Sequence, residues 1–295
     1  MTNQQALVLG GTGLMGSALF NEAKIRGLDP ISVARKNADF ELDVYNTDDL
    51  ILCLRSVRPN VVINSFGIAD VDFCEEDPVT ARLAHIEIPK ILDAWCQKNS
   101  ATYIHISTDQ FYGGSYGCRS SEKSLPLPSN EYAKSKLLGE QALHSESHLI
   151  IRLSMLGRRL KGSRSLADFM FDTVRSGACA DIYTDAITSA IDVKTGASVI
   201  FDLFEKSATG VFNVGTHSPY SKSDLFKKIA LIDGCLATRA RFVEAPKAGV
   251  IRNNNLGLCV AKAETMLGYD LPNLEDVVKN LKQIFDCAEA RDVSA

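Results

Sequence analysis

The sequence predicts a doubly wound α/β fold, a parallel sheet with helices on both faces. Three observations predict it. A short apolar run, Ala6 to Leu9, ends in the cluster Gly10-Gly11-Thr12-Gly13-Leu14-Met15-Gly16; a segment of helical period follows directly; and strand-like and helix-like stretches go on alternating to about residue 155. Strands joined through helices need crossover connections, and crossovers make the sheet parallel.

Taken in order, Leu14 to Arg26 carries apolar residues at helical spacing and stops at Gly27, which completes a strand, glycine turn and helix. A second strand is predicted at Pro30 to Ala34, a helix at Thr47 to Val57 and a third strand at Asn60 to Ser65. The alternation repeats with a helix over Pro78 to Asn99, a strand over Thr102 to Ser107, a helix over Asn130 to His144 and a strand over His148 to Leu153. Past residue 155 the rhythm loosens until a final helix at Leu274 to Cys287. Residues 1–155 therefore read as a Rossmann-type dinucleotide domain and residues 156–295 as a smaller substrate-binding lobe, with a soft boundary that leaves open an interleaved chain.

Composition narrows the partners. The 295 residues are 45% hydrophobic, enough to bury a large core, and the formal net charge of -4 lacks the Lys/Arg excess of a nucleic-acid binder. The ligand is expected to be small. None of the eight cysteines forms a Cys-x-x-Cys pair, so neither a zinc knuckle nor a redox dithiol is expected, and the scattered thiols read as reduced and partly buried. The five histidines suggest no metal cluster, and none is assigned. No signal-like start or long apolar run appears, so a cytoplasmic protein with no membrane partner is expected. A homodimer stays open.

Chemistry concentrates in two motifs. In Gly10-x-x-Gly13-x-x-Gly16 the missing side chains permit a tight turn, close approach of backbone N–H groups to a pyrophosphate, and close packing of the next helix, whose N-terminus faces the phosphates. The second strand exits into Arg35-Lys36 with no acidic residue to hold a ribose 2′-hydroxyl. That favours NADP(H), with NAD(H) open, and a solvated basic loop is the plain alternative. The second motif is Ser107-Thr108-Asp109 at a strand end with Tyr132-Ala133-Lys134-Ser135-Lys136 at a helix start. Tyr132 and Lys136, four apart, share a helix face. A free phenol ionises near ~10, so bringing Tyr132 to neutrality takes about 4 kcal/mol of differential stabilisation, which a Lys ammonium and a nicotinamide cation can supply. Thr108 is placed to hold a carbonyl oxygen.

With these motifs the chain resembles the extended short-chain dehydrogenase/reductases, and most closely the dTDP-4-dehydrorhamnose reductase family. The matching stretches are Arg58-Pro59-Asn60-Val61-Val62-Ile63-Asn64, Val71-Asp72 with Glu75, His105 to Asp109, Tyr132 to Lys136 with Leu137-Leu138-Gly139-Glu140, and Arg152. The resemblance implies Thr108, Tyr132 and Lys136 as catalytic residues. It implies Gly10, Gly13, Leu14, Met15 and Gly16 as the phosphate loop with its helix start, and Asp43 near the adenine. It also implies a nucleotide-sugar substrate between the two halves, with Asp109, Gln110, Arg152 and Met155 on the substrate side.

The chain departs from the family at Ile68-Ala69, Gln110, Ser154-Met155, Asn253, and His85, which stands where asparagine is frequent. Gln110 weighs against the similar 4,6-dehydratases, which place a basic glutamate there, because an amide cannot abstract a proton. Thr108 to Gly114 contains no cysteine, against a fucose-type epimerase-reductase. The expected activity is NADP(H)-dependent reduction of a 4-keto sugar nucleotide. Two alternatives are a non-catalytic NADP-binding subunit, like the regulatory beta subunit of methionine adenosyltransferase, and a sugar-nucleotide epimerase. The basic stretch Arg158 to Arg164 reads equally as a diphosphate clamp or as a solvated loop. His105 and Trp95 read as packed core residues.

Overall fold

The computed structural model describes residues 4–114, 117–144, 147–159, 164–235, 239–246 and 249–292. Six strands come first: β1 (Gln5–Leu9), β2 (Asp29–Ala34), β3 (Phe40–Glu41), β4 (Val61–Asn64), β5 (Thr102–Ile106) and β6 (Leu149–Arg152). They pair in parallel in the order β3-β2-β1-β4-β5-β6. The chain therefore winds outward both ways from β1 and β4, and the crevice at their carboxyl ends is the topological switch point where such sheets bind ligands.

Side-chain alternation explains why both faces are covered. Ala6, Val8, Ile63, Ile104 and Ile151 point into one buried cluster, whereas Leu7, Leu9, Val62, Tyr103 and Ile150 point into another. The first receives Met15 and Leu19 of α1 (Leu14–Ile25), and the second receives Leu50 and Leu54 of α2 (Thr47–Val57). Chain continues through α3 (Val71–Glu76), α4 (Pro78–Arg82), a π turn (Leu83–Glu87), α5 (Ile88–Asn99) and α6 (Glu131–Gln141).

The single helix predicted over Pro78 to Asn99 is thus interrupted. Pro89 has no N–H to give the carbonyl of His85 four residues back, and the turn widens there. Helix α6 crosses at this spot: a Cβ on Gly139 would lie 1.8 Å from the His85 oxygen, so only glycine allows the approach. His105 is 1% exposed and Trp95 packs against the second core, as expected for core residues.

Past β6 come β7 (Met155–Leu156), α7 (Leu166–Ser176), β8 (Asp181–Tyr183), β9 (Ile187–Thr188), β10 (Ile191–Asp192) and α8 (Val193–Glu205). Strand β11 (Gly210–Asn213) then returns to the main sheet, parallel to β6, and makes it seven-stranded. The Arg26 guanidinium meets Asp202 at 2.7 Å and Glu205 at 2.8 Å, tying the end of α1 to α8. A division at residue 155 therefore does not separate two sets of elements, because β11 and α8 complete the first layer. The remaining elements are β12 (Tyr220–Ser221), α9 (Lys222–Asp233), β13 (Arg241–Val243), β14 (Asn255–Leu256), α10 (Ala261–Leu267) and α11 (Leu274–Asp292). With β8 and β9 they make the small sheets β12-β9-β14 and β13-β8, outside the main sheet. Among the described residues, no helix is long and apolar enough to cross a membrane.

Candidate active site

A cavity of about 1010 Å³ opens at the switch point and is lined by Gly10, Thr12, Gly13, Arg35, Lys36, Asp43 and the Ser65–Ile68 segment, among others. Two glycines make its floor possible. Gly10 has φ +75, and a Cβ on Gly16 would lie 2.0 Å from the Gly10 oxygen. Helix α1 starts at Gly13 with no side-chain cap and no acidic residue in its first turn, so its first N–H groups stay available to an anion. Arg35 and Lys36 are exposed on the rim. Two expected cofactor residues sit elsewhere. The Met15 side chain is 3% exposed in the core and Leu14 packs against the same core, which leaves only their backbone to face a phosphate.

The sequence did not single out Tyr45 and Phe66, which line the same cavity with their rings edge to face at 5.8 Å. Each follows a recognisable landmark, Asp43 and the end of β4, but nothing local marks them as partners.

The catalytic candidates meet beside this cavity. Asn130 caps α6 by accepting from Ala133 N, while Glu75 accepts from Glu131 N at 2.6 Å and Arg82 pairs with Glu131 at 2.9 Å, which fixes the start of the helix that carries Tyr132 and Lys136. The Thr108 hydroxyl lies near enough to the Tyr132 phenol to draw its pKa down. It also accepts from Gln110 N at 3.2 Å. Lys136 Nζ donates to the Ile106 carbonyl at 2.8 Å. Burial pushes the Lys136 ammonium down to about 8, against the pull of Glu140.

Burial pushes the Tyr132 phenol up to about 12, against the pull of Thr108, and the Asp109 carboxyl adds to the rise.

His85 joins the cavity to the catalytic helix. Its Nε2 accepts from Ile68 N at 3.0 Å in the cavity wall, and its Nδ1 lies 2.8 Å from Ser135 Oγ on α6. An accepting Nε2 puts the proton on Nδ1, which donates to Ser135, whose hydroxyl donates in turn to the Glu131 carbonyl at 2.8 Å. The ring stands edge-on to Tyr132 at 5.5 Å, and burial pushes its pKa down to about 3, so it stays neutral.

The expected substrate residues divide. Asp109 and Gln110 stand next to Thr108, with Gln110 Nε2 donating to Asp109 Oδ1 at 3.2 Å. Arg152 is instead interior, 6% exposed, bound to Glu140 through Nε at 3.0 Å and through Nη2, and donating to the Tyr112 hydroxyl. Glu140 Oε2 also accepts from Ser107 Oγ at 2.8 Å, so Arg152 braces the site from below instead of facing a substrate. Met155 packs half-buried against the core. Of the basic stretch, residues 160–163 lie outside the described residues; Arg158 donates to the Phe285 carbonyl at 3.3 Å, and Arg164 pairs with Asp172 at 3.4 Å.

The cysteines are all free. Contrary to the histidine reading, His217, Glu264 and Asp270 do bring ligand atoms within 4.8 Å of one another at the surface, where His217 and Glu264 form an ion pair at 2.7 Å.

The deciding match is to a family model described as the RmlD substrate binding domain, which covers residues 4–285. The chain belongs to this family. The probable low-salt glycan biosynthesis reductase Agl14 of Haloferax volcanii is 28% identical over 95% of the chain and 98% of that protein. The dTDP-4-dehydrorhamnose reductase of Salmonella typhimurium is 27% identical over 69% of the chain and 72% of that protein. Methionine adenosyltransferase 2 subunit beta of Pongo abelii is 26% identical over 90% and 83%. Among solved structures, dTDP-4-dehydrorhamnose reductase from Bacillus anthracis in complex with NADP has TM-score 0.85 at 21% identity, covering 95% of this chain and 98% of that one. RmlD relatives thus include both reductases and a protein named as a subunit of another enzyme.

Proposed function

We propose that the chain is an NADP(H)-dependent reductase of a 4-keto sugar nucleotide, close in chemistry to dTDP-4-dehydrorhamnose reduction. The observation that carries this reading is the intact Thr108, Tyr132 and Lys136 set, tied through His85 to the wall of the glycine-floored cavity. The cavity fits the cofactor: its floor excludes side chains, the bare start of α1 suits a pyrophosphate, and Arg35 and Lys36 suit a 2′-phosphate. NADPH, when bound, supplies the hydride.

The chain's own residues do the rest. Thr108 donates to the carbonyl oxygen and orients it, and Tyr132 gives its phenolic proton to that oxygen as charge develops. Lys136 contributes positive charge beside the forming phenolate and holds the cofactor ribose. The matched glycan-biosynthesis and rhamnose reductases support a sugar-nucleotide substrate.

Tyr132→Phe is the test. Removing the acid is expected to lower kcat for NADPH oxidation with a 4-keto nucleotide sugar by about a thousandfold, with NADPH affinity unchanged. Equal turnover by the variant would sink the reading. A wild-type protein that binds NADPH, turns over no member of a 4-keto sugar-nucleotide panel and retains a stoichiometric enzyme partner would instead favour the non-catalytic role that the adenosyltransferase subunit match suggests. Cofactor that copurifies and never exchanges would point to an epimerase.

A further inference from the structure

The reduction gives His85 no proton to move, yet its bonds span from the cavity wall to the catalytic helix. It is 1% exposed, and Ser135 beyond it is 0% exposed. The surroundings fix its tautomer. The Ile68 amide can only donate, so Nε2 accepts from it at 3.0 Å, and the ring proton sits on Nδ1, 2.8 Å from Ser135 Oγ. The Ser135 hydroxyl hydrogen then turns to the backbone of α6, where the Glu131 and Tyr132 carbonyl oxygens lie at 2.8 and 3.1 Å. An unbroken line of hydrogen bonds thus runs from Ile68, in the cavity wall, to the turn of α6 that carries Tyr132.

Packing makes the line stiff. At the wall end a Cβ on Gly67 would touch the imidazole at 3.5 Å, so the wall segment lies directly on the ring. At the helix end Ser135 and Gly139 are four apart and share the face of α6 that meets this residue, Ser135 against the ring and Gly139 against the His85 carbonyl. The ring also stands edge-on to Tyr132 at 5.5 Å. An apolar ring would serve for packing alone. A buried imidazole costs desolvation unless its nitrogens are bonded, and here both are.

We propose that His85 is a positioning residue that passes nucleotide occupancy of the cavity to Tyr132. A nucleotide lying against the Ser65–Ile68 wall fixes the Ile68 peptide, the imidazole carries that position across to Ser135, and the first turn of α6 is held with its phenol toward the carbonyl to be reduced. His85 touches neither reactant. The inference rests on the reductase reading, in which a misplacement of about 1 Å is enough to cost a hundredfold in rate.

The two links stand in series, and two amides cut them one at a time. In His85→Asn the amide nitrogen can take the place of Nδ1 and keep Ser135, but nothing reaches Ile68. In His85→Gln the longer amide can put its oxygen in the place of Nε2 and keep Ile68, but Ser135 loses its donor. Each variant is expected to lower kcat for a 4-keto sugar nucleotide about tenfold while KM stays within about twofold. Ser135→Ala cuts the second link from the other side. It is expected to match His85→Gln, and the double variant is expected to be no slower than either. A side chain that only packs would instead lower the melting temperature and leave kcat as it was. Wild-type kcat in either amide variant or in Ser135→Ala, or losses that multiply in the double variant, overturns the inference.

Hydrogen exchange reads the same line without turnover. The probe is adenosine 2′,5′-bisphosphate, which lacks the nicotinamide ribose and so has nothing to place against Lys136. In the wild-type protein it is expected to slow exchange of the Ala133 to Lys136 amides as well as those of the glycine loop, whereas in Ser135→Ala only the loop responds. Protection of the loop without the helix in the wild-type protein overturns the inference, as does equal protection of the helix in Ser135→Ala. Failure of the reductase reading looks different: the wild-type protein turns over no 4-keto sugar nucleotide, whatever its exchange pattern.

Discussion

Helices α1 and α9 are each twelve residues long, yet their N-termini are finished in opposite ways. Ser221 closes α9 with a capping box, its side chain accepting from Asp224 N at 3.0 Å while the Asp224 carboxylate accepts from Ser221 N at 3.0 Å. Helix α7 is closed the same way by Ser165 and Asp168, and α8 by the Asp192 side chain. Helix α1 has Gly13 instead, with no side-chain cap and no acidic residue in its first turn, at the edge of the glycine-floored cavity. A capped terminus spends its N–H groups on stability. The bare one reserves them, together with the positive end of the helix dipole, for something not supplied by the chain. The difference separates a helix whose beginning only has to hold together from one whose beginning has to bind.

The sharpest way to break that contrast is to finish α1 as α9 is finished. Gly13 has φ -76 and ψ 172, a backbone any residue adopts, and a Cβ there would meet the Gly10 oxygen at 3.1 Å, close enough to require a small shift. In Gly13→Asp the new carboxylate would accept the N–H groups meant for phosphate and repel the phosphate as well. NADPH affinity is expected to fall on the order of a hundredfold or more, measured by fluorescence titration. Stability should move only by a few tenths of a kcal/mol, since glycine and aspartate are both acceptable N-caps. Undiminished binding would mean that α1 does not hold the anion.

A smaller effect is expected on the rim of the same cavity. Arg35 and Lys36 are exposed, so a contact from either to a bound phosphate would be screened by water. Replacing both with serine should weaken NADPH by about tenfold while leaving NADH within about twofold. Equal losses for the two nucleotides would assign the pair to the loop's own structure instead of a 2′-phosphate.

These two sites also show what a sequence can reveal. The glycine spacing, the Tyr132–Lys136 interval and Thr108 at a strand end are local patterns; the glycine turn follows β1 and Thr108 follows β5, so both stand at the carboxyl edge where a parallel sheet gathers its loops. Arg152 was unreadable for the opposite reason. Its guanidinium looks like a substrate ligand until Glu140, on a neighbouring element, is seen to hold it. The break in the helix over Pro78 to Asn99 was signalled by Pro89, but its use was not. That His85 reaches Ile68 on one side and Ser135 on the other depends on α6 crossing at Gly139, a contact between segments some fifty residues apart. Returning strand β11 was hidden likewise, four residues long and separated from its partner β6 by most of a lobe's small elements.

The smallest expected effect is the mirror of the Gly13 substitution. Ser221→Ala removes a cap that is 5% exposed, so water cannot readily replace the lost hydrogen bonds to Asp224 N and Ser223. A loss of about 1 kcal/mol is expected, which for a chain of this size lowers the melting temperature by about 2–4 °C. NADPH affinity should not change, because α9 belongs to the lobe and its N-terminus lies outside the cavity lining. The two variants together separate the two kinds of helix start: one should lose binding and keep its fold, the other should lose stability and keep its binding. A Ser221→Ala protein that melts normally but binds NADPH poorly would show that the lobe's caps serve the cofactor site as well, and the distinction between the two termini would fall.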